Sequence, residues 1–162
     1  MAVIKETIIN LLNYRIQQEE QSSRLYESMS NWLDLKGFSG ASKLWLKYSE
    51  EETLHKKWAI DYLLKLNILP IIPKQEQPLL EFKGLPQIIA LSFEHEINIT
   101  NQCKEFSAAC LKEGDLITFN LAQKYLDEQV EEISKIQLWI DKLNSFGDDL
   151  IALRLLDNEM GG

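Results

Sequence analysis

The run Ile68-Leu69-Pro70-Ile71-Ile72-Pro73-Lys74-Gln75-Glu76-Gln77-Pro78, continuing through Gly84 to Pro86, decides how this chain folds. It holds every proline of the sequence: Pro70, Pro73, Pro78 and Pro86. Proline lacks a backbone donor and interrupts helices, and no 3.6-residue apolar period survives in this run. On either side the pattern is helical for long stretches. A segment of this size is too long for a turn and is read as a crossover. A helix of about 28 residues is ~42 Å long, and about sixteen extended residues cover that distance at ~3.3 Å each. The run can therefore carry the chain back along the whole bundle, so that the helices before and after it are parallel. The expectation is an all-α four-helix bundle with one long crossover between the second and third helices, not an up-down-up-down bundle.

Working outward, the helices are expected at residues 3–35, 40–67, 85–112 and 116–143, in a single domain spanning 1–162. Each carries an apolar stripe in steps of three and four, and each stripe is interrupted near its middle by an acid. The first reads Ile8, Leu12, Ile16, Glu19, Ser23, Tyr26, Ser30, Leu33. The second reads Leu44, Tyr48, Glu52, His55, Ala59, Tyr62, Leu66. The third is interrupted at Glu96 between Ser92 and Ile99, and the fourth at Glu128 and Glu132 between Tyr125 and Ile136. Gly37, Gly114 and Gly147 mark breaks, and Ser39, Asp115 and Asp148 or Asp149 are expected N-caps. A short fifth helix at 148–158 is apolar on more than one side (Leu150, Ile151, Leu153, Leu155, Leu156) and must dock on the bundle or on another subunit.

Composition narrows the function classes. A net charge of −8 argues against nucleic acid as a partner, which needs a basic surface, and suits attraction of cations. No apolar run is long enough to span a membrane, and the first 18 residues do not read as a secretory leader. Cys103 and Cys110, seven apart on one helix, are too distant along it to pair; they read as buried thiols in a reducing, cytoplasmic setting.

The mid-stripe acids carry the chemistry. Glu52 and His55, at i and i+3, project from one helix face. With Glu19, Glu96 and Glu132 they place four carboxylates and one imidazole at one level of the bundle. Buried carboxylates need partners, yet cations are scarce, and Lys124 and Lys135 are expected to reach only the edges. A bound cation removes the problem, and oxygen-rich ligation with one nitrogen suits iron or manganese better than structural zinc. Glu52 can bridge two metals, one with Glu19 and His55, the other with Glu96 and Glu132. Two irons side by side can each give an electron to O₂. Tyr26, seven residues beyond Glu19, can hydrogen-bond a carboxylate or donate an electron. Gln129 stands where a second Glu-x-x-His would put its acid, so the second metal lacks an imidazole and is expected to be held more weakly. Glu51, Glu128 and Glu131 can form a third cation position with Glu132. His95 is expected at the surface or an interface. Two other readings remain: a di-iron or di-manganese oxidoreductase of peroxidase type on the same bundle, and a metal-free structural bundle whose acids are solvated or salt-bridged.

The segments Glu19…Tyr26-x-x-Met29-Ser30-x-Trp32, Glu51-Glu52-x-x-His55, His95-Glu96 and Glu128-Gln129-x-Glu131-Glu132, with the crossover and the short last helix, resemble the non-haem ferritins of bacterial type along essentially the whole chain. The resemblance implies a ferroxidase that oxidises Fe(II) with O₂ or hydrogen peroxide at a di-iron centre. It also implies storage of Fe(III) mineral in a shell of twenty-four identical subunits, with the last helix lining the fourfold axis. By position it implies one iron on Glu19, Glu52 and His55 and a second on Glu52, Glu96 and Glu132 with Gln129 nearby. A third iron would lie among Glu51, Glu128, Glu131 and Glu132. Haem-binding bacterioferritins have a methionine where Thr53 stands, so haem is not expected. Lys124 replaces a tryptophan that some bacterial ferritins place near the centre.

Overall fold

Three helices end by one device. Residues Gly37 and Gly114 take φ of 82° and 67°, and Asn67 takes 60°. Each left-handed residue lets the next amide reach back to a helical carbonyl: Phe38 to Leu33, Ile68 to Leu63 and Asp115 to Cys110, all at 2.9 Å. In the computed structural model, which describes residues 3–162, five helices result: α1 (Glu6–Leu35), α2 (Ser39–Lys65), α3 (Leu85–Lys112), α4 (Leu116–Phe146) and α5 (Leu150–Met160). The expected starts and ends hold to within a turn. Asp115 and Asp149 cap α4 and α5 by accepting from Thr118 N and Ala152 N.

Ser39 is not the cap expected for α2; it is the first helical residue, and Phe38 before it offers no side-chain acceptor. The missing acceptor comes from the far end of the chain. Asp157 of α5, buried, takes the Ala41 amide at 2.8 Å. Here Gly40 packs directly against α5: a Cβ on it would lie 1.9 Å from the Asp157 carbonyl oxygen.

The crossover follows α1 in the direction of α1. The Ile71 amide donates to Asn13, the Gln75 side chain to the Gln17 carbonyl, and Ser28 to the Leu79 carbonyl. From Asn13 to Ser28 is ~22 Å of helix, covered by eight crossover residues in nearly extended backbone. Helix α2 packs antiparallel on α1, so a segment running with α1 returns the chain to the end where α2 began. Helices α2 and α3 are therefore parallel, as the proline-rich run requires.

The apolar interior is divided in two. One half gathers Met29, Leu33, Trp45, Leu85, Ile89, Trp139 and the inner face of α5. The other gathers Ile8, Leu12, Leu63, Phe106, Ala122 and Tyr125. Between them lies a layer of buried polar side chains. Indole N–H groups at the margin are satisfied, Trp45 by Ser92 at 3.0 Å and Trp139 by Tyr48 at 3.1 Å, as buried aromatic donors require. Cys103 and Cys110 are buried and unpaired. On α5 the side chains Leu153, Leu156 and Met160 face the bundle, while Leu150, Ile151 and Leu155 stay exposed. No helix among the described residues is long and apolar enough to cross a membrane.

Candidate metal centre

Every helix of the four-helix bundle sends an acid into the polar layer. Glu19 from α1, Glu52 from α2, Glu96 from α3 and Glu132 from α4 are each no more than 3% exposed. Their helical positions put them there: each replaces an apolar residue in a stripe that faces the axis. His55 joins them one turn beyond Glu52. Its Nδ1 is 3.1 Å from Glu52 and 4.0 Å from Glu19, and its Nε2 is 3.4 Å from Glu128.

Two triads share one residue. Glu19, Glu52 and His55 offer ligand atoms all within 4.8 Å of one another, as do Glu52, Glu96 and Glu132. A further triad at the same spacing joins His55, Glu128 and Glu132. Glu52 is thus the carboxylate common to the two groupings expected from the sequence. Glu96 is held on both oxygens: Tyr26 donates to one, and Gln129 Nε2 donates to the other at 2.9 Å. Both residues lie at the centre, with Gln129 turned to hold Glu96.

The layer is electrostatically strained when it holds only its own side chains. Burial, reinforced by the charges of Glu19 and Glu96, pushes the Glu52 carboxyl well above the usual range. Burial raises Glu96 to about 7 against the bonds from Tyr26 and Gln129. It raises Glu132 to about 8, helped by the Glu96 charge and opposed by Lys135. Glu96 and Glu132 are therefore poised to take a proton or a cation near neutrality. Glu19 Oε2 is buried with no hydrogen-bond partner among the described residues. A divalent cation between Glu19, Glu52 and His55 gives that oxygen its partner, so the donor set fits a metal ion.

Three residues at the layer were not foreseen. Arg15, 1% exposed, pairs with Glu19 Oε1 at 3.0 Å and is fixed by Gln102 and by Cys103 Sγ at 3.3 Å. Its signal in the sequence was the i, i+4 spacing to Glu19. Trp58 lies against His55 with ring centroids 4.8 Å apart and against Tyr125 at 5.2 Å, while the Lys124 ammonium sits 4.0 Å above its ring. Lys135, expected only at the edge, reaches in to contact Glu132 Oε1 at 3.2 Å and Glu51 Oε2 at 3.1 Å. The i, i+3 spacing to Glu132 was the clue. The layer is therefore better supplied with cations than the sequence suggested.

Of the residues expected around a third cation, Glu128 and Glu132 come together with His55, and Glu51 meets Glu132 only through Lys135. Glu51 is tied to Lys135, Glu128 leans on His55, and Glu131 is exposed and joins no cluster. His95 is half-buried. It meets Ser22 Oγ at 2.7 Å, stands edge-on to Tyr26, and is lowered to about 4 by burial.

A one-crossover helical bundle with a carboxylate waist defines a recognisable class, and comparison with known proteins places the chain within it. The family model described as a ferritin-like domain matches residues 9–146, and the chain belongs to the ferritin family. It is 35% identical over 159 residues to a probable bacterial non-heme ferritin-like protein of Haemophilus influenzae, covering 98% of this chain and 96% of that one. It is 33% identical over 158 residues to a bacterial non-heme ferritin of Escherichia coli, covering 98% and 96%. Among solved structures, an open-pore ferritin from the archaeon Archaeoglobus fulgidus superposes with a TM-score of 0.95 at 31% identity, covering 99% of this chain and 98% of that one.

Proposed function

We propose that the protein oxidises Fe(II) at the carboxylate waist and stores the resulting Fe(III) as mineral inside a shell of twenty-four copies of itself. The observation that carries this is Glu52, the carboxylate shared by two ligand triads whose atoms lie within 4.8 Å of one another. Family membership and the names of the relatives support it. Iron is here the substrate. Two Fe(II) ions give one electron each to O₂, which leaves with two protons as hydrogen peroxide; hydrogen peroxide itself is the alternative acceptor.

The chain's own residues prepare this step. Glu52 holds the two ions at one spacing, which makes a two-electron transfer available to a single acceptor. His55 presents Nδ1 to the first position while Glu128 faces Nε2 and helps to orient the ring. Tyr26 and Gln129 hold Glu96 in place. Glu52, Glu96 and Glu132 give up protons as cations arrive. Trp58 covers the outer face of His55. The exposed leucines and isoleucine of α5, with Leu69, Ile71, Ile72, Leu79 and Leu80 of the crossover, are the apolar surfaces that assembly would cover.

Aerobic addition of Fe(II) to purified protein tests the proposal. Oxidation faster than in buffer, with Fe(III) retained on a particle far larger than one subunit in size-exclusion chromatography, is expected. Oxidation at the buffer rate would overturn the ferroxidase assignment, and a monomer-sized particle would overturn the shell.

A further inference from the structure

Beside the two triads, on the α2–α4 flank, the position between Glu51 and Glu132 already holds a charge. The Lys135 ammonium lies 3.1 Å from one and 3.2 Å from the other. Glu51 also faces Lys47 at 4.0 Å. Six carboxylates line this region: Glu19, Glu51, Glu52, Glu96, Glu128 and Glu132. Arg15 and Lys135 oppose them most closely. When all six acids are ionised, two divalent ions neutralise what is left.

We propose that Lys135 takes the place of a third cation between Glu51 and Glu132 and keeps divalent ions out of that position. The inference rests on the two-metal reading above. An ammonium tethered to the helix that carries Glu132 is always at high local concentration, so an ion entering between Glu51 and Glu132 must displace it. The structural consequences are already visible. Glu51 is committed to lysines, Glu128 is free to orient His55, and Glu131 faces solvent. Lys135 is a positioning residue: it turns iron toward the two triads by filling the position beside them.

Anomalous diffraction at the iron edge, from crystals soaked anaerobically in Fe(II), tests this. Wild-type protein is expected to show two iron peaks per subunit at the waist and none between Glu51 and Glu132. Lys135→Leu is expected to add a third peak there. Lys135→Arg, which keeps the charge, should show none there, and neither should the double variant Glu51→Gln/Lys135→Leu, which removes the new site's acid. A peak between Glu51 and Glu132 in wild type, or none there in Lys135→Leu, overturns the inference and leaves the two-metal centre standing. No peak at the waist of wild-type protein overturns that centre itself, and the inference with it.

Discussion

The two ends of the polar layer balance their acids in different ways. At the Glu19 end the counter-charge is Arg15, wholly buried, its planar fork shared among Glu19, Gln102 and Cys103. At the Glu132 end it is Lys135, half-exposed on a flexible stem and held by carboxylates alone. A guanidinium with several fixed partners does not withdraw, whereas an ammonium on four methylenes can. One oxygen of Glu19 is therefore held by Arg15 and the other is left for a ligand, which sets a single-oxygen ligand in advance. The Glu132 end stays adjustable. The difference shows how one buried layer can combine a rigid site with a yielding one.

The most severe way to break this contrast is to remove what both ends share. Glu52→Gln should slow Fe(II) oxidation by roughly a hundredfold or more, because both triads lose a ligand. The same change should raise the melting temperature of the metal-free protein, since a buried, crowded carboxylate is gone. Stopped-flow absorbance and thermal unfolding read the two effects, and an unchanged oxidation rate would remove Glu52 from the site.

A smaller effect separates the two cations. Arg15→Met leaves the buried Glu19 charge without its ion-pair partner, beside another carboxyl, and should cost about 3–5 kcal/mol in denaturant unfolding of the metal-free protein. Lys135→Met, at a half-exposed position, should cost less than about 1 kcal/mol. Equal losses would erase the proposed asymmetry.

Proton balance gives a gentler test. Glu96 and Glu132 hold protons in the folded chain up to about 7 and about 8, against a reference of 4.5. A raised carboxyl favours the folded state fully below its unfolded value, and that advantage is lost as pH climbs through the folded value. The melting temperature of metal-free protein should therefore fall as pH is raised from about 4.5 to about 8. A saturating divalent cation should flatten the fall, because it replaces the lost protons. A metal-free melting curve that does not move over that range would contradict the burial argument. The smallest effect belongs to Glu131→Gln, which should change stability by less than about 0.5 kcal/mol and leave the iron peaks of the preceding section unaltered.

Much of this was legible in the sequence, for reasons that also mark where reading stopped. The prolines between Pro70 and Pro86 disfavour a hairpin, so the parallel direction of α2 and α3 followed from them and from the length of the run. Glu19, Glu52, His55, Glu96 and Glu132 announced themselves because each breaks an apolar period at the same height, and height along a helix is linear in residue number. Arg15, Lys135 and Trp58 did not. A period fixes the face a residue occupies, but whether a long side chain there turns inward depends on the facing helix. For Arg15 that partner is Gln102, and for Lys135 it is Glu51, 87 and 84 residues away in sequence. The N-terminus of α2 escaped for the same reason, since its cap is supplied from α5.

That remote cap has a consequence for how the centre is kept in order. The helix that carries Glu52 and His55 begins without a side-chain cap of its own and is terminated by Asp157, which sits where Gly40 leaves no space for even a methyl group. The fifth helix thus works as a latch on the second: losing its last turn, or placing alanine at Gly40, would unfasten the start of α2. If α5 is pressed into place by neighbouring subunits, assembly also tightens the helix that presents the shared ligand. Quaternary structure would then act on the waist from one end of α2, through a single carboxylate and a missing side chain.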